Sequence, residues 1–327
     1  MNTLQSPNAL PALPYVKPWL RSATEAEKLV FHYADEAVVL EGPAVADVLA
    51  GLVPLLDGTR SVDEIVAASQ PAREATIRAA LALLARNELL TSGPPLDDAS
   101  GDRAQLVTFF AATAPSDRTL AGDAARLSAL AVAAYGSGTV LDELERLMLG
   151  SGVARFARRD WPAAGEILAA DADVIIVAPS PGELPQLASF NTKALEGRVP
   201  WLLVLPHDGH FAAVGPYFVP FETCCYACYT MRRAANVGYG DEYALLQTAP
   251  APYPVPAAVG AIVAGYAALL ILRQMLRDDV LLPGRFLAVR LEGEPQVETH
   301  TVYRVPRCPA CSGARRDSGP APWHEAA

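Results

Sequence analysis

Asp173-Val174-Ile175-Ile176-Val177-Ala178 and Trp201-Leu202-Leu203-Val204-Leu205 are short runs, almost wholly aliphatic, in which polar and apolar positions do not alternate. A strand of that composition is buried on both faces, the condition of a parallel sheet covered by helices. Working outward, Leu106 to Ala111 reads as another buried strand, Ala124 to Ala134 and Asp142 to Leu149 as helices, and Val153 to Ala157 as a strand. Asp208-Gly209 is a hairpin turn that carries the Trp201 run into Phe211 to Val214. Strand alternating with helix predicts a Rossmann-like α/β domain over residues 105–311.

A different pattern precedes it. Lys28 to Tyr33 and Glu36 to Leu40 read as two antiparallel strands, with Pro18 to Arg21 as a candidate third. Val45, Val48, Leu49, Leu52 and Leu55 then recur at helical spacing, and Gly58 ends that helix. Ser61 stands three residues before Glu64, the spacing of a capping box, and starts a short second helix. A third helix runs from about Pro71 to Asn87, with Ile77, Leu81 and Leu84 on one face. Strands followed by three helices predict a winged-helix domain over residues 15–92. Residues 1–14 read as a flexible arm, 93–104 as a turn-rich linker and 312–327 as a disordered tail.

Composition narrows the function. Of 327 residues, 51% are apolar and 19% charged, which excludes disorder for most of the chain. Net charge is −10, and residues 15–92 carry seven Lys/Arg against eleven Asp/Glu, so neither the chain nor its winged-helix segment offers a basic face for nucleic acid. Five cysteines do not make a disulfide scaffold at this length, and the first residues lack the pattern of a secretory signal, so a cytoplasmic protein is expected. Val255 to Leu272 is uncharged and nearly long enough to span a bilayer. Its two internal glycines, its proline-rich entry and the arginines that follow predict instead a buried helix of a protein without a membrane span.

The chemistry is concentrated in cysteine. Cys225-Tyr226-Ala227-Cys228 and Cys308-Pro309-Ala310-Cys311 are two C-x-x-C pairs separated by 79 residues. Two such knuckles make a closed tetrathiolate site, and four sulfurs leave no open coordination position, so a structural zinc ion is predicted. Cys224 is left over as a packing residue. His207 and His210 flank the turn; two histidines three apart could bind a metal or serve as an acid/base pair, but no second motif points at them and turn chemistry accounts for Asp208-Gly209. After the run ending at Ala111 the chain reads Ala112-Thr113-Ala114-Pro115-Ser116-Asp117, with no glycine to admit a phosphate; Gly136-Ser137-Gly138 is read as lying between two helices. No nucleotide is therefore expected.

Asp173 to Pro179, Asn191, Pro200-Trp201, Val214-Gly215-Pro216 and the stretch Pro220 to Cys228 followed by Arg232 together resemble the E1-like, ThiF-type superfamily. Glu36 to Leu56, Gly58 and Ser61 to Ile65 resemble the PqqD-like module known as the RiPP recognition element. The combination looks like the leader-peptide-binding partner of a YcaO cyclodehydratase, acting in the formation of azolines and azoles on ribosomal peptides. The resemblance implies a subunit without bond chemistry of its own and a YcaO enzyme on a separate chain. It also implies a homodimer and a precursor leader bound along Ala37, Val38, Val39 and Leu40 with Ile77, Leu81 and Leu84 of the third helix as the groove wall. The adenylating members of the superfamily carry a glycine fingerprint that this sequence lacks; an enzyme adenylating a peptide or carrier C-terminus is the alternative.

Overall fold

A computed structural model describes residues 10–69, 73–98, 100–113, 118–163, 165, 166, 168, 171–277 and 283–312. The chain forms two compact units, Met1–Arg126 and Leu127–Ala327.

In the first unit, strands β2 (Arg21–Glu25), β3 (Lys28–Tyr33) and β4 (Glu36–Glu41) form an antiparallel sheet in that order, after a short β1 (Pro14–Val16). The third strand is thus Arg21–Glu25, not Pro18 to Arg21. Its residues are all exposed, so burial left no apolar signal to read. A helical run α1 (Val45–Leu55) follows, then α2 (Val62–Ala68) and α3 (Glu74–Arg86); β5 (Leu90–Ser92) closes the segment by pairing with β1. The capping box at α2 is complete: Glu64 N donates to Ser61 Oγ, and Ser61 N donates to Glu64 Oε2 at 2.7 Å. One core joins Leu29 and Phe31 of β3 to Leu49, Leu52, Ile65, Ile77, Leu81 and Leu84. Each such side chain contributes roughly 1.5–3 kcal/mol when removed from water.

Ala34 makes the β3–β4 turn in a left-handed conformation, with φ of 54°. A Cβ is unfavourable there by roughly 1–2 kcal/mol. Ala34→Gly should therefore raise the first unit's stability by about 1 kcal/mol, after allowing for glycine's freer unfolded state, and move the urea midpoint upward. An unchanged or lower midpoint would contradict this.

Residues 106–111 are not a strand. They lie in helix α4 (Asp102–Thr113), where buried Ala104, Val107 and Phe110 fall three apart while Phe109 is exposed. The division of the chain into its two units falls within the next helix, α5 (Leu120–Ala129).

The second unit is built on a seven-stranded sheet. Its strands are β6 (Ala131–Gly136), β7 (Arg155–Arg159), β8 (Val174–Ala178), β9 (Trp201–Leu205), β10 (Ala212–Phe218), β11 (Arg285–Arg290) and β12 (Gln296–Thr301), in the order β12-β11-β10-β9-β8-β6-β7. The sheet is mixed, not mostly parallel: β7, β6, β8 and β9 are parallel, and β10 to β12 extend it antiparallel. Helices α6 (Thr139–Gly150), α7 (Gln186–Glu196), α8 (Tyr226–Ala234), α9 (Gly240–Leu246) and α10 (Ala257–Arg277) accompany it. Ala124 to Ala134 divides between α5 and β6, so the first strand of this sheet is the alanine-rich Ala131–Gly136. Gly136-Ser137-Gly138 consequently lies between a strand and a helix, not between two helices. Gly136 is required: its φ is +118°, and a Cβ would stand 2.0 Å from the Ala178 carbonyl of β8.

Tyr135, Val177, Trp201 and Leu203 face one core with Phe190 of α7 and Tyr229 of α8. Ile176, Val204 and Val214 on the opposite face are equally buried, and α10 packs along α6 and against β10. α10 is long and apolar enough to cross a bilayer, yet Val263, Ala264, Ala267, Ile271 and Leu272 are buried within the unit. Gly260 permits the close approach of α10 to α6, since a Cβ there would meet Thr139 Cγ2 at 2.7 Å.

Candidate metal centre and sheet edges

Cys225 caps α8, and Cys228 follows on its first turn, so the helix start presents two sulfurs together. The second knuckle, Cys308 to Cys311, is a turn closed by Cys308 N to Val305 O and Ser312 N to Cys308 O. The four Sγ atoms lie within 4.8 Å of one another, with 3.8 Å between Cys225 and Cys228, 3.8 Å between Cys225 and Cys308, and 3.6 Å between Cys228 and Cys311. Tetrahedral bonds of about 2.3 Å place sulfurs roughly 3.8 Å apart, so the donor set fits a metal ion. All four cysteines are buried.

Hydrogen-bond donors reach two of the four sulfurs. Val305 N donates to Cys228 Sγ at 3.3 Å, and Arg304 Nη2 donates to Cys311 Sγ at 3.7 Å and to Cys311 O at 3.0 Å. Arg304 also donates to the carbonyl of Phe221, tying the second knuckle to the loop before the first. Buried Asn191 of α7 accepts the Tyr226 N–H at 2.9 Å, satisfying one of the free donors at the start of α8. Sequence reasoning noted Asn191 without its role, because the two partners are 35 residues apart. Cys224 is buried outside the four-sulfur group, and burial, reinforced by the nearby cysteines, pushes its thiol up to about 12.

The turn at 207–211 is explained by Asp208. Its Oδ1 accepts from His210 N and Phe211 N, each at 3.0 Å, and its Oδ2 accepts from Arg233 at 3.0 Å. Burial opposes ionisation of this carboxyl, but the Phe211 N–H and Arg233 prevail and hold it below the ordinary range. Among the described residues the four cysteines are the one grouping placed to hold a metal, and neither histidine joins it.

At the end of β6, Gly138 with φ of +90° starts α6, the strand–turn–helix setting in which glycine loops receive phosphates. Here a carboxylate is already present. Glu183 Oε2 accepts from Ser137 Oγ, Ser180 N and Ser180 Oγ, each at 2.8 Å, while Oε1 accepts from Trp161 Nε1 at 2.9 Å. Burial works against the charge, but these donors together hold Glu183 below the usual carboxylate range. The adjoining cavity is about 170 Å³, below the roughly 300 Å³ at which small-molecule pockets begin.

In the first unit, β4 is a terminal strand of its sheet. Gly42 N donates to Glu27 O at 2.9 Å, and the register opposes Leu40 to Leu29, Val39 to Val30 and Val38 to Phe31. Hydrogen-bonded and non-hydrogen-bonded pairs alternate along an antiparallel ladder. Leu40 and Val38 therefore bond inward to β3, and the backbone groups of Ala37 and Val39 point to the outer edge. The side chains of Val38 and Leu40 pack on the core, whereas Val39 is 49% exposed. Ile77, Leu81 and Leu84 are no more than 2% exposed, so they fix α3 in the core rather than offering free surface.

The fold and the cysteine cluster define a two-unit α/β protein: a small sheet-and-helix unit, then a unit built on a seven-stranded mixed sheet with four buried cysteines placed to hold a metal ion. No protein-family model and no curated protein sequence matches the chain. Solved structures do. A heterocyclase in complex with substrate and cofactor is 20% identical with a TM-score of 0.66, over 92% of this chain and 39% of that one. The heterocyclase TruD is 21% identical with a TM-score of 0.67, over 92% of this chain and 43% of that one. E. coli MccB, solved with ATP, is 12% identical with a TM-score of 0.58, over 91% of this chain and 99% of that one. The chain thus spans 39% to 43% of the heterocyclases' length and nearly all of MccB's. At such identities the likeness establishes a common fold.

Proposed function

We propose that this protein is the leader-binding partner of a peptide cyclodehydratase. Its first unit, read as a winged-helix recognition element of the PqqD-like kind, captures a ribosomal precursor by its leader. Its second unit, read as E1-like, presents the core segment to a YcaO enzyme for azoline or azole formation. The observation that carries this is the free edge of β4, where Ala37 and Val39 direct backbone donors and acceptors outward beside a packed core. An extended leader satisfies those groups by adding as a strand, with its alternate side chains extending the layer of Val38 and Leu40. Ile77, Leu81 and Leu84 contribute by fixing α3. The likeness to heterocyclase structures over 92% of this chain supports the same reading.

The metal is zinc in this reading, bound by Cys225, Cys228, Cys308 and Cys311. It supplies stability rather than chemistry, because four thiolates leave no site for substrate. The protein works in the cytoplasm as a homodimer, raising the effective concentration of the core at the enzyme. The test is a titration of fluorescently labelled leader, taken from a short reading frame encoded nearby. Saturable binding at micromolar concentration or tighter is expected, and no binding by the folded, metal-loaded chain would overturn the assignment.

The setting of Gly136-Ser137-Gly138 favours a second reading, an adenylating enzyme like the ATP-bound neighbour. Glu183 argues against it, since its carboxylate repels a phosphate from the same donors. A ligand present at a hundred times its Kd stabilises by about 2.7 kcal/mol, a rise of several degrees in melting temperature. Millimolar Mg-ATP should produce none; a rise of that size would instead support adenylation.

A further inference from the structure

A cleft of about 560 Å³ lies between α8 and the β11–β12 hairpin. Phe286 and Arg290 of β11 and His300 of β12 form its floor, and Arg232 and Arg233 of α8 form its wall. On a chain of net charge −10, no side chain lining this cleft is acidic among the described residues. Some of the positive charge is neutralised from its margins. Arg233 is paired with Asp208 at 3.0 Å, and Glu298 Oε2 lies 3.4 Å from both Arg290 Nη2 and His300 Nε2. Arg232 differs: its guanidinium reaches backbone carbonyls, Tyr303 O at 3.4 Å and Arg304 O at 3.3 Å, and pairs with no carboxylate among the described residues. Beyond Arg290 the surface turns acidic with Glu292 and Glu294, so an anion is favoured only between Arg232 and Arg290.

Two further features point to a ligand. Arg290 Nε, on a residue lining the cleft, is a buried polar atom without a hydrogen-bond partner among the described residues. Such an atom is costly unless something bonds to it. Beside it the rings of His300, Phe286 and Phe211 stack in a row, with centroids 5.1 and 6.0 Å apart, and Arg233 lies 4.6 Å over Phe211. The cleft therefore combines an unneutralised guanidinium, an unmet hydrogen-bond donor and an aromatic row. β12, at its margin, is the terminal strand of the sheet.

We propose that this cleft binds a short acidic peptide segment. A Glu or Asp carboxylate sits between Arg232 and Arg290, and an adjacent apolar side chain lies on the Phe286 and Phe211 rings. That the segment belongs to the precursor, downstream of its leader, rests on the function proposed above; the binding chemistry does not.

The test uses the full chain and a fluorescein-labelled Gly-Ser-Phe-Glu-Leu-Ser-Gly peptide, with a second peptide carrying Lys in place of Glu. Anisotropy should show saturable binding of the Glu peptide, weakened by added salt, and binding of the Lys peptide at least about tenfold weaker. Arg290→Gln should weaken the Glu peptide about tenfold while metal content and melting temperature stay unchanged. His300→Gln is a second probe of the same floor if Arg290→Gln fails to fold. Val39→Pro, which addresses the leader edge, should leave this binding intact, so the two sites fail or succeed separately. The proposal is overturned if neither peptide binds, if Glu and Lys peptides bind alike, or if the folded floor variants bind as wild type. It is also overturned if inorganic phosphate or ATP saturates the cleft and the peptide does not.

Discussion

Cys228→Ser should abolish metal binding and unfold most of the second unit, while Cys224→Ala, four positions away, should change little. A metal held by the four cysteines would bridge α8 to the segment that follows β12, elements that no strand pairing joins among the described residues. Its ligands sit inside the same core as Trp201, Phe190 and Tyr229, so a failed site is a failed core and not a frayed surface. Apparent binding free energies of structural zinc reach about 10–16 kcal/mol in small domains, whereas whole domains are stable by only about 5–15 kcal/mol. Even a net loss of about 5 kcal/mol lowers the melting temperature of a unit of this size by roughly 10–20 °C. A strong chelator should do the same to the wild-type chain. Cys224→Ala removes a buried sulfur that ligates nothing and should cost about 1 kcal/mol with full metal content. The readouts are metal analysis by mass spectrometry and the melting curve. A wild-type chain that contains no metal, or whose melting is indifferent to chelation, would show that the sulfurs are clustered for packing alone.

The contrast between these two cysteines also shows what could be read in the sequence. Metal ligands have to converge, and paired knuckles converge by local geometry, so spacing alone picked out the four residues that the fold brings together. The strand at Trp201–Leu205 was equally legible, because a short aliphatic run buried on both faces has few other uses. Ala131–Gly136 was not. Alanine favours helix, but a strand flanked on both sides, as β6 is by β8 and β7, admits small side chains where covering elements come close, and tertiary context overrides propensity. Leu106 to Ala111 failed the opposite way: Val107, Phe109 and Phe110 suggest a strand, yet the buried positions recur every third residue. These two errors together hid the setting of Gly136-Ser137-Gly138. Once β6 is in place, the question changes from whether a glycine loop exists to what occupies it. The occupant, Glu183, comes from a turn 46 residues after Ser137, beyond the reach of any local motif. β11 and β12 escaped notice because their half-exposed, charge-bearing residues give little strand signal.

Val39→Pro should leave the first unit folded and reduce leader affinity at least tenfold. The prediction follows from the direction of one N–H. In the β3–β4 ladder the Val38 and Leu40 groups are committed to Phe31 and Leu29, so proline at either position would remove a bond that holds the sheet. At Val39 the N–H points outward. An edge strand tolerates proline there, and the fold should lose at most about 1 kcal/mol, from the exposed side chain and the fixed φ. An added strand loses more. It forfeits the hydrogen bond from Val39, worth about 1 kcal/mol net, and meets the pyrrolidine ring where a backbone carbonyl should approach. Each 1.4 kcal/mol is a factor of ten in Kd, so the bond and the clash together exceed tenfold. Val39→Thr keeps the N–H and a β-branched shape and should bind nearly as wild type, which separates backbone from side-chain recognition. Val38→Pro should fail differently, by lowering the melting temperature of the first unit before any peptide is added. If Val39→Pro melts normally and binds leader as well as Val39→Thr, the leader does not add to β4 and the proposed edge recognition is wrong.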